Sequence, residues 1–362
     1  MSNYANGLHS DSDLPDLIVI GAGQSGLATA HTALRQGWRR PLILEAGADT
    51  AGSWPSYYDS LTLFSPAGYS ALPGRPFPGD ADRYPTRDEV AGYLRDYAGA
   101  LDAEIRTGHR VTAVRPAKAT EATGPSGGLI VETAGGSTFI APAVVAATGA
   151  FAHPHLPRLP DRDGFGGRTL HAAEYRNPKA FTGDRVIVVG AGNSAIQIAA
   201  DLAPHAEVTL ATRAPVRWAP QHILGRDLHW WLRRTGVDIA PIRRRLHKLP
   251  VSVIDDGGYR AALDAAGIER REMFTGFTAD GVRWPDGTET PADTVLWATG
   301  YRHRYPYLSD AGHRLGVSTA LPGLGFVGIE FQRSFASNSL RGAARDAAYV
   351  LRRLRRSHRS HR

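Results

Sequence analysis

Leu17-Ile18-Val19-Ile20-Gly21-Ala22-Gly23-Gln24-Ser25-Gly26 is an apolar run that passes directly into three closely spaced glycines. Asp16 to Ile20 reads as a buried strand, and the stretch beyond Gly26 as a helix ending near Gly37. Strand, glycine turn and helix in this order make a dinucleotide fingerprint. Gly21 permits the tight turn, Gly23 lets a pyrophosphate approach the backbone, and Gly26 lets the helix pack closely on the strand, with Gln24 and Ser25 as further contacts of the turn. The motif alone is weak, because a glycine turn in any α/β domain can match it. Leu42-Ile43-Leu44 strengthens it by ending at Glu45, nineteen residues after Gly26, where an acid binds ribose hydroxyls.

A second copy follows. Arg185 to Val189 runs into Gly190-Ala191-Gly192-Asn193-Ser194-Ala195, then a helix to about Leu202 and a strand from Val208 to Ala211. Gly190, Gly192, Asn193 and Ser194 are its candidate contacts. Where the first unit has Glu45, this one has Arg213, which suits a ribose 2′-phosphate and favours NADPH over NADH; a plain surface arginine is the alternative. A strand ending in Ala-Thr-Gly also occurs twice, with Thr148-Gly149 after Val144-Val145 and Thr299-Gly300 after Val295-Leu296. Small residues there allow a cofactor close to the backbone. Two dinucleotides in one chain imply electrons passing between them.

Between these units lies Phe165 to Tyr175. The other segments read more plainly. Ala51 to Gly79 is a long loop crowded with Pro, Gly and aromatics, including Tyr57, Tyr58, Phe64 and Tyr69, which reads as a cover over a flat ring or as core filling. Thr86 to Leu101 predicts an amphipathic helix burying Val90, Tyr93, Leu94 and Tyr97. Arg110 to Val114, Leu129 to Glu132 and Ser137 to Ile140 predict an antiparallel meander inserted in the parallel fold. Trp230-Trp231 reads as core or subunit contact, leaving a homodimer open, more readily than as a substrate wall. His222, His229 and His247 lack metal-ligand spacing, so no metal is expected. Gly323 to Ile329 and Ser339 to Leu354 give a closing strand, loop and helix, in which Gly342 offers a backbone N–H to an anion or carbonyl.

The 362 residues, 42% hydrophobic and 21% charged, suffice for two domains. Arg352, Arg353, Arg355, Arg356, Arg359 and Arg362 supply six of the charges behind the net +7, so the body is near neutral and no nucleic-acid partner is expected. There are no cysteines, which excludes disulfides and any chemistry through the chain's own dithiol. The polar first sixteen residues lack a signal-peptide pattern, and no apolar run approaches the roughly 18 residues that span a bilayer. The expectation is a cytoplasmic protein without stable membrane association.

Together the first fingerprint, Gly52-Ser53-Trp54, Phe165-x-Gly167-x-x-x-His171-x-x-x-Tyr175, the second fingerprint and both Ala-Thr-Gly segments resemble the class B flavin-dependent monooxygenases. These are the flavin-containing, N-hydroxylating and Baeyer-Villiger monooxygenases. The resemblance covers nearly the whole chain. It is strongest in feel to compact bacterial flavoproteins with cation-efflux or potassium-transport labels, from which no transport role is carried over. It implies FAD on the first unit, with Gly52, Trp54 and Val111 as further contacts, and NADPH on the second. Hydride would pass to flavin, and reduced flavin would capture oxygen as a C4a-(hydro)peroxyflavin, with molecular oxygen and a small lipophilic molecule as substrates. His171 would be the catalytic-site residue that couples NADPH binding to the flavin state, or else a brace for the linker.

Several departures bear on substrate class. Tyr175 stands where Baeyer-Villiger members carry Trp, which points to oxygenation at nitrogen or sulfur. Ala195 replaces the third glycine, Gln197 stands where many relatives have an acid, and Ala51-Gly52 replaces a doubled glycine. The expected architecture is α/β, with two Rossmann-like dinucleotide-binding domains, the NADPH domain inserted into a discontinuous FAD domain. Its boundaries are a flexible tail 1–16, an FAD domain 17–168 and 298–354, an NADPH domain 169–297, and a basic tail 355–362. Alternatives are Baeyer-Villiger oxygenation of a ketone, an NADPH oxidase or diaphorase, and a non-catalytic flavin-binding redox sensor.

Overall fold

The computed structural model describes residues 14–117, 128–240 and 252–359. Arg243-Arg244-Arg245, His247, nearly all of the 1–16 tail and the last three residues of the basic tail lie outside them. Within the described residues two parallel sheets carry the architecture. The first runs His313–Arg314, Val317–Ser318, Leu324–Phe326, Ala143–Ala146, Leu17–Ile20, Leu42–Leu44, Glu104–Arg106. The five strands from Leu324–Phe326 to Glu104–Arg106 are parallel, and the 313–318 hairpin joins antiparallel at one edge. This sheet therefore draws on both ends of the chain. The second sheet, Glu269–Glu272, Glu207–Thr212, Arg185–Val189, Thr294–Trp297, Arg168–His171, is wholly parallel.

Period-two alternation decides what each face meets. In the first sheet Leu17, Val19, Ile43 and Val145 face the helices Gln24–Arg35, Arg87–Gly99 and Ala343–Arg359. Ile18, Ile20, Leu42, Leu44 and Val144 face an antiparallel sheet of Val111–Pro116, Leu129–Thr133 and Thr138–Ala141. The second sheet repeats the plan. Val186, Val188, Leu210 and Leu296 pack under the helix Asn193–Leu202, while Ile187, Val189, Val295 and Trp297 pack on Gly276–Phe277, Gly281–Arg283 and Glu289–Pro291. Apolar runs buried on both faces, as in Leu17–Ile20, contribute about 1.5–3 kcal/mol per large side chain.

The expected helix near residue 90 is Arg87–Gly99, started by a capping box between Thr86 and Glu89, with Val90, Tyr93, Leu94 and Tyr97 buried. The first meander was legible, but the second, after Phe274, was not. Two residues expected in the tails are held by partners in the fold. Asp16 pairs with Arg39 at 3.3 Å, and Arg355 belongs to the helix Ala343–Arg359, donates to the Gln36 carbonyl at 2.6 Å and lies 5.0 Å from the Trp38 ring. No helix among the described residues is long and apolar enough to cross a membrane.

Candidate functional site

The first glycine turn follows Ile20 at the carboxyl end of its strand. Gly21 has φ +102°, and a Cβ there would stand 2.9 Å from the Ala147 carbonyl oxygen, beside Thr148 and Gly149. A Cβ on Gly26 would overlap the Gly21 carbonyl, so the helix Gln24–Arg35 closes on the turn as no other residue allows. Gly52 packs against Gly23, where its Cβ would approach the Gly23 Cα to 2.8 Å. Glu45 follows the neighbouring strand, its Oε2 accepting from Ala22 N and its Oε1 from Gly47 N, each at 2.7 Å. His109 N donates to the Glu45 carbonyl at 2.8 Å, which brings the start of the Val111–Pro116 strand beside this acid.

Gln24 ties three segments together. Its Nε2 donates to the Asn338 carbonyl at 2.6 Å and its Oε1 accepts from Trp54 Nε1 at 3.0 Å. Ser25 packs under Gly328, and Thr148 Oγ1 lies 3.1 Å from the Tyr307 hydroxyl. Gly342 departs from its expected role: its N–H already donates to the Ser339 carbonyl at 3.1 Å, and its missing side chain makes room for the Ala336 carbonyl. It is a packing glycine at the start of the closing helix.

The second turn repeats the first with one change. A Cβ on Gly190 would overlap the Ala298 carbonyl, as Gly21 crowds Ala147, but Ala195 occupies the position of Gly26. A Cβ on Gly192 would meet nothing within 4 Å. No internal packing requires that glycine, so its open ground fits a group from outside the chain, as a pyrophosphate would be. Ser194 sits in the first turn of the helix Asn193–Leu202, and the Asn193 side chain is directed inward, accepting from Ile254 N at 3.1 Å. Thr299 Oγ1 donates to the His155 carbonyl, and Gly300 follows at the carboxyl end of Thr294–Trp297.

Arg213 is exposed just beyond the strand Glu207–Thr212. The sequence gives no sign of its company. His155 lies close to it, its Nε2 3.2 Å from Arg302, and its pKa is lowered by burial first and then by the Arg302 and Arg213 guanidinium groups. Arg213 and Arg302 thus concentrate positive charge at the carboxyl end of the second sheet, beside an imidazole they hold toward its neutral form. Arg302, two residues after Gly300, has no counterpart in either fingerprint.

His171 ends the edge strand Arg168–His171 and is buried. Ala173 N donates to its Nδ1 at 3.1 Å, so Nε2 carries the proton and donates to the Gly300 carbonyl at 3.1 Å. Burial lowers its pKa, and the Gly300 carbonyl opposes that shift in part. Both nitrogens are engaged by backbone, Nε2 by the Gly300 carbonyl and Nδ1 by Ala173 N–H. Tyr175 is fully buried and its hydroxyl donates to Asp201 at 2.7 Å. Gln197, in place of an acid, accepts from the buried Tyr58 hydroxyl at 2.5 Å.

The two halves meet through aromatic rings. Centroid distances are 5.6 Å for Trp54–Tyr57, 4.6 Å for Tyr57–Phe151, 5.1 Å for Phe151–Tyr301 and 5.0 Å for Tyr301–His171. This row leads from the Gly52 side of the first turn to the residue after Gly300. A second tie surrounds Asp227, whose carboxyl is held down to about 2, against its burial, by hydrogen bonds from His229, Tyr84 and Gln221. Trp231 Nε1 donates to the Ile223 carbonyl at 2.9 Å and Trp230 packs edge-on against it, so this pair braces the 222–227 hairpin. Among the described residues no cluster could hold a metal ion. A cavity of about 490 Å³ lies along Gln197, Ala200 and Asp201, and one of about 310 Å³ beside Gly342.

The family model described as pyridine nucleotide-disulphide oxidoreductase matches residues 18–234. The oxidoreductase of Geobacillus kaustophilus named CzcO-like is 30% identical over 93% of this chain and 97% of that protein. Indole-3-pyruvate monooxygenase YUCCA1 of Oryza sativa subsp. japonica is 30% identical over 84% of this chain and 82% of its own length. The flavin-containing monooxygenase from Stenotrophomonas maltophilia superposes with a TM-score of 0.81 at 29% identity, covering 95% of this chain and 99% of that one. The chain belongs to the pyridine nucleotide-disulphide oxidoreductase family and, within it, to the class B flavin-dependent monooxygenases. As a member it is an enzyme, a flavoprotein oxidoreductase using FAD and NADPH. With no cysteine in the chain, this class B member has no dithiol of its own for the disulphide chemistry in the wider family's description.

Proposed function

We propose that this enzyme is an FAD- and NADPH-dependent monooxygenase that oxygenates a small substrate at a soft nitrogen or sulfur atom. FAD lies on the sheet around Leu17–Ile20 and NADPH on the sheet around Arg185–Val189, the latter domain inserted between the two parts of the former. The observation that carries this reading is the pair of glycine turns, each opening at the carboxyl end of a parallel sheet, joined by the aromatic row from Trp54 to Tyr301. In open α/β sheets that end is where nucleotides bind.

Each residue's task follows from its chemistry. Bound FAD accepts hydride and activates oxygen, chemistry that no side chain here supplies. Gly21, Gly23 and Gly26 let the FAD pyrophosphate reach the helix N-terminus, and Glu45 exchanges its Ala22 contact for ribose hydroxyls. Gly190 and Gly192 do the same for NADPH, whose 2′-phosphate lies against Arg213, Arg302 and His155. His171 holds the Gly300 carbonyl and so fixes the backbone under the nicotinamide side. Tyr57, Phe151 and Tyr301 keep water from the junction.

Likeness to the Stenotrophomonas flavin-containing monooxygenase supports the monooxygenase reading, while cyclohexanone monooxygenase, at 19% identity, shares the fold alone; the choice of nitrogen or sulfur rests on Tyr175 standing where Baeyer-Villiger members carry Trp. The test is turnover under isotopically labelled dioxygen with NADPH. One labelled oxygen atom in the product per NADPH consumed is expected. Hydrogen peroxide matching all the NADPH consumed, across a panel of amines and thioethers, would replace this reading with an NADPH oxidase.

A further inference from the structure

The cavity of about 310 Å³ beside Gly342 is drawn from three distant segments. Its wall includes Gly68 and Tyr69 of the long loop, Arg233 and Asp238 around the end of the helix Leu228–Thr235, and Arg341 and Arg345 at the start of the closing helix. Its size sits at the small end of the roughly 300–1,000 Å³ range of ligand pockets. Two features of its charge are unresolved among the described residues.

The first is an excess of cations. Of the three guanidinium groups only Arg341 makes an ion pair among the described residues, its Nε 3.1 Å from Asp238 Oδ2. Arg233 lies 5.9 Å from the Tyr69 ring and is otherwise exposed, as is Arg345. Arg345 also stands in the first turn of Ala343–Arg359, where the helix dipole disfavours a cation and favours an anion. The second feature has the opposite sign. The Asp238 side chain is 3% exposed and its Oδ1 makes no hydrogen bond among the described residues. A buried carboxylate oxygen left so asks for an N–H or O–H donor.

One ligand meets both demands if it carries a carboxylate beside a hydrogen-bond donor. The cavity is also tied to the proposed flavin side, since the chain between its lining residues Ala336 and Arg341 includes Asn338, whose carbonyl accepts from Gln24 of the first glycine turn. We propose that this cavity holds the head group of the oxygenated substrate, and that the substrate is a small amino-acid-like molecule rather than a neutral lipophile. Its carboxylate lies between Arg233 and Arg345, and its ammonium or hydroxyl lies toward Asp238. This rests on the monooxygenase reading above.

The test uses FAD-loaded enzyme and three thioether probes: L-methionine, 3-(methylthio)propanoate without the ammonium, and methioninol without the carboxylate. Binding is measured by calorimetry, independently of turnover. Affinity should fall in that order, and Arg345→Ala should weaken the two carboxylates by about tenfold or more with flavin content intact, while methioninol responds far less. Equal binding of all three probes, or binding of none, overturns the proposal. Loss of flavin from Arg345→Ala also overturns it, because the cation then serves a cofactor phosphate. Arginine-dependent binding of L-methionine without labelled oxygen in any product would leave this site standing and remove the monooxygenase reading instead.

Discussion

The two glycine turns share a backbone plan and differ at two points. At the first, Gly26 is compelled by the Gly21 carbonyl; at the second, Ala195 sits in the same place and its helix stands off by a methyl group. Beyond the turns, the strand Leu42–Leu44 leads to a carboxylate and Glu207–Thr212 to a guanidinium. The comparison teaches that the turn sets the class of ligand, a dinucleotide, while the residue after the adjoining strand sets which one. The tighter first turn suits a cofactor that stays, and the looser, cationic second one suits a cofactor that comes and goes.

The largest effect should come from exchanging the third positions. Gly26→Ala should cost about 3 kcal/mol or more through overlap with backbone and abolish flavin retention. Ala195→Gly should cost only about 1–2 kcal/mol, read as denaturation midpoint, because it removes helix propensity and one buried methyl group without any backbone overlap. Equal costs would mean that the two turns do not differ in closeness. Next, Arg213→Ala should lower kcat/KM for NADPH by about 1–3 kcal/mol while leaving NADH nearly unaffected, and Arg302→Ala should do the same more weakly. An unchanged preference would place the phosphate elsewhere.

A third effect belongs to three histidines whose protonation the fold opposes. The pKa values of His31, His171 and His303 are all lowered chiefly by burial, so the unfolded chain binds protons that the folded chain refuses. Their stabilising contribution is full above the unfolded value of about 6.5 and is lost as pH falls through the lower folded values. Denaturation midpoints measured downward from neutral pH should therefore fall, and His171→Ala, costing about 1–2 kcal/mol, should make that fall shallower. A steeper fall would show that His171 is charged in the fold. The smallest effect is that of Tyr175→Phe, which should cost about 1 kcal/mol by losing its bond to Asp201 and leave the product unchanged.

Much of this was legible in the sequence because strand, turn and helix are local. Leu17 to Gly26, Glu45, Arg185 to Ala195 and the two Ala-Thr-Gly ends each declare themselves within a few residues. What escaped is what depends on chain-distant partners. The orientation of Asn193 toward Ile254, the use of Gly342's N–H by Ser339, and the engagement of both His171 nitrogens are set by backbone that no spacing reveals. The gathering of Arg302 and His155 near Arg213, and of Asp238 with Arg341, joins residues 147 positions apart in the pair Arg302–His155 and 103 apart in the pair Asp238–Arg341.

The central claim is that electrons pass from one turn's dinucleotide to the other's. It is tested most directly by mixing FAD-loaded protein with NADPH in the absence of oxygen and following the oxidised-flavin absorbance through a single turnover. Bleaching with NADPH should be rapid, should slow markedly in Arg213→Ala at limiting coenzyme and should recover at saturation. Flavin that stays oxidised at saturating NADPH in the native enzyme would contradict it.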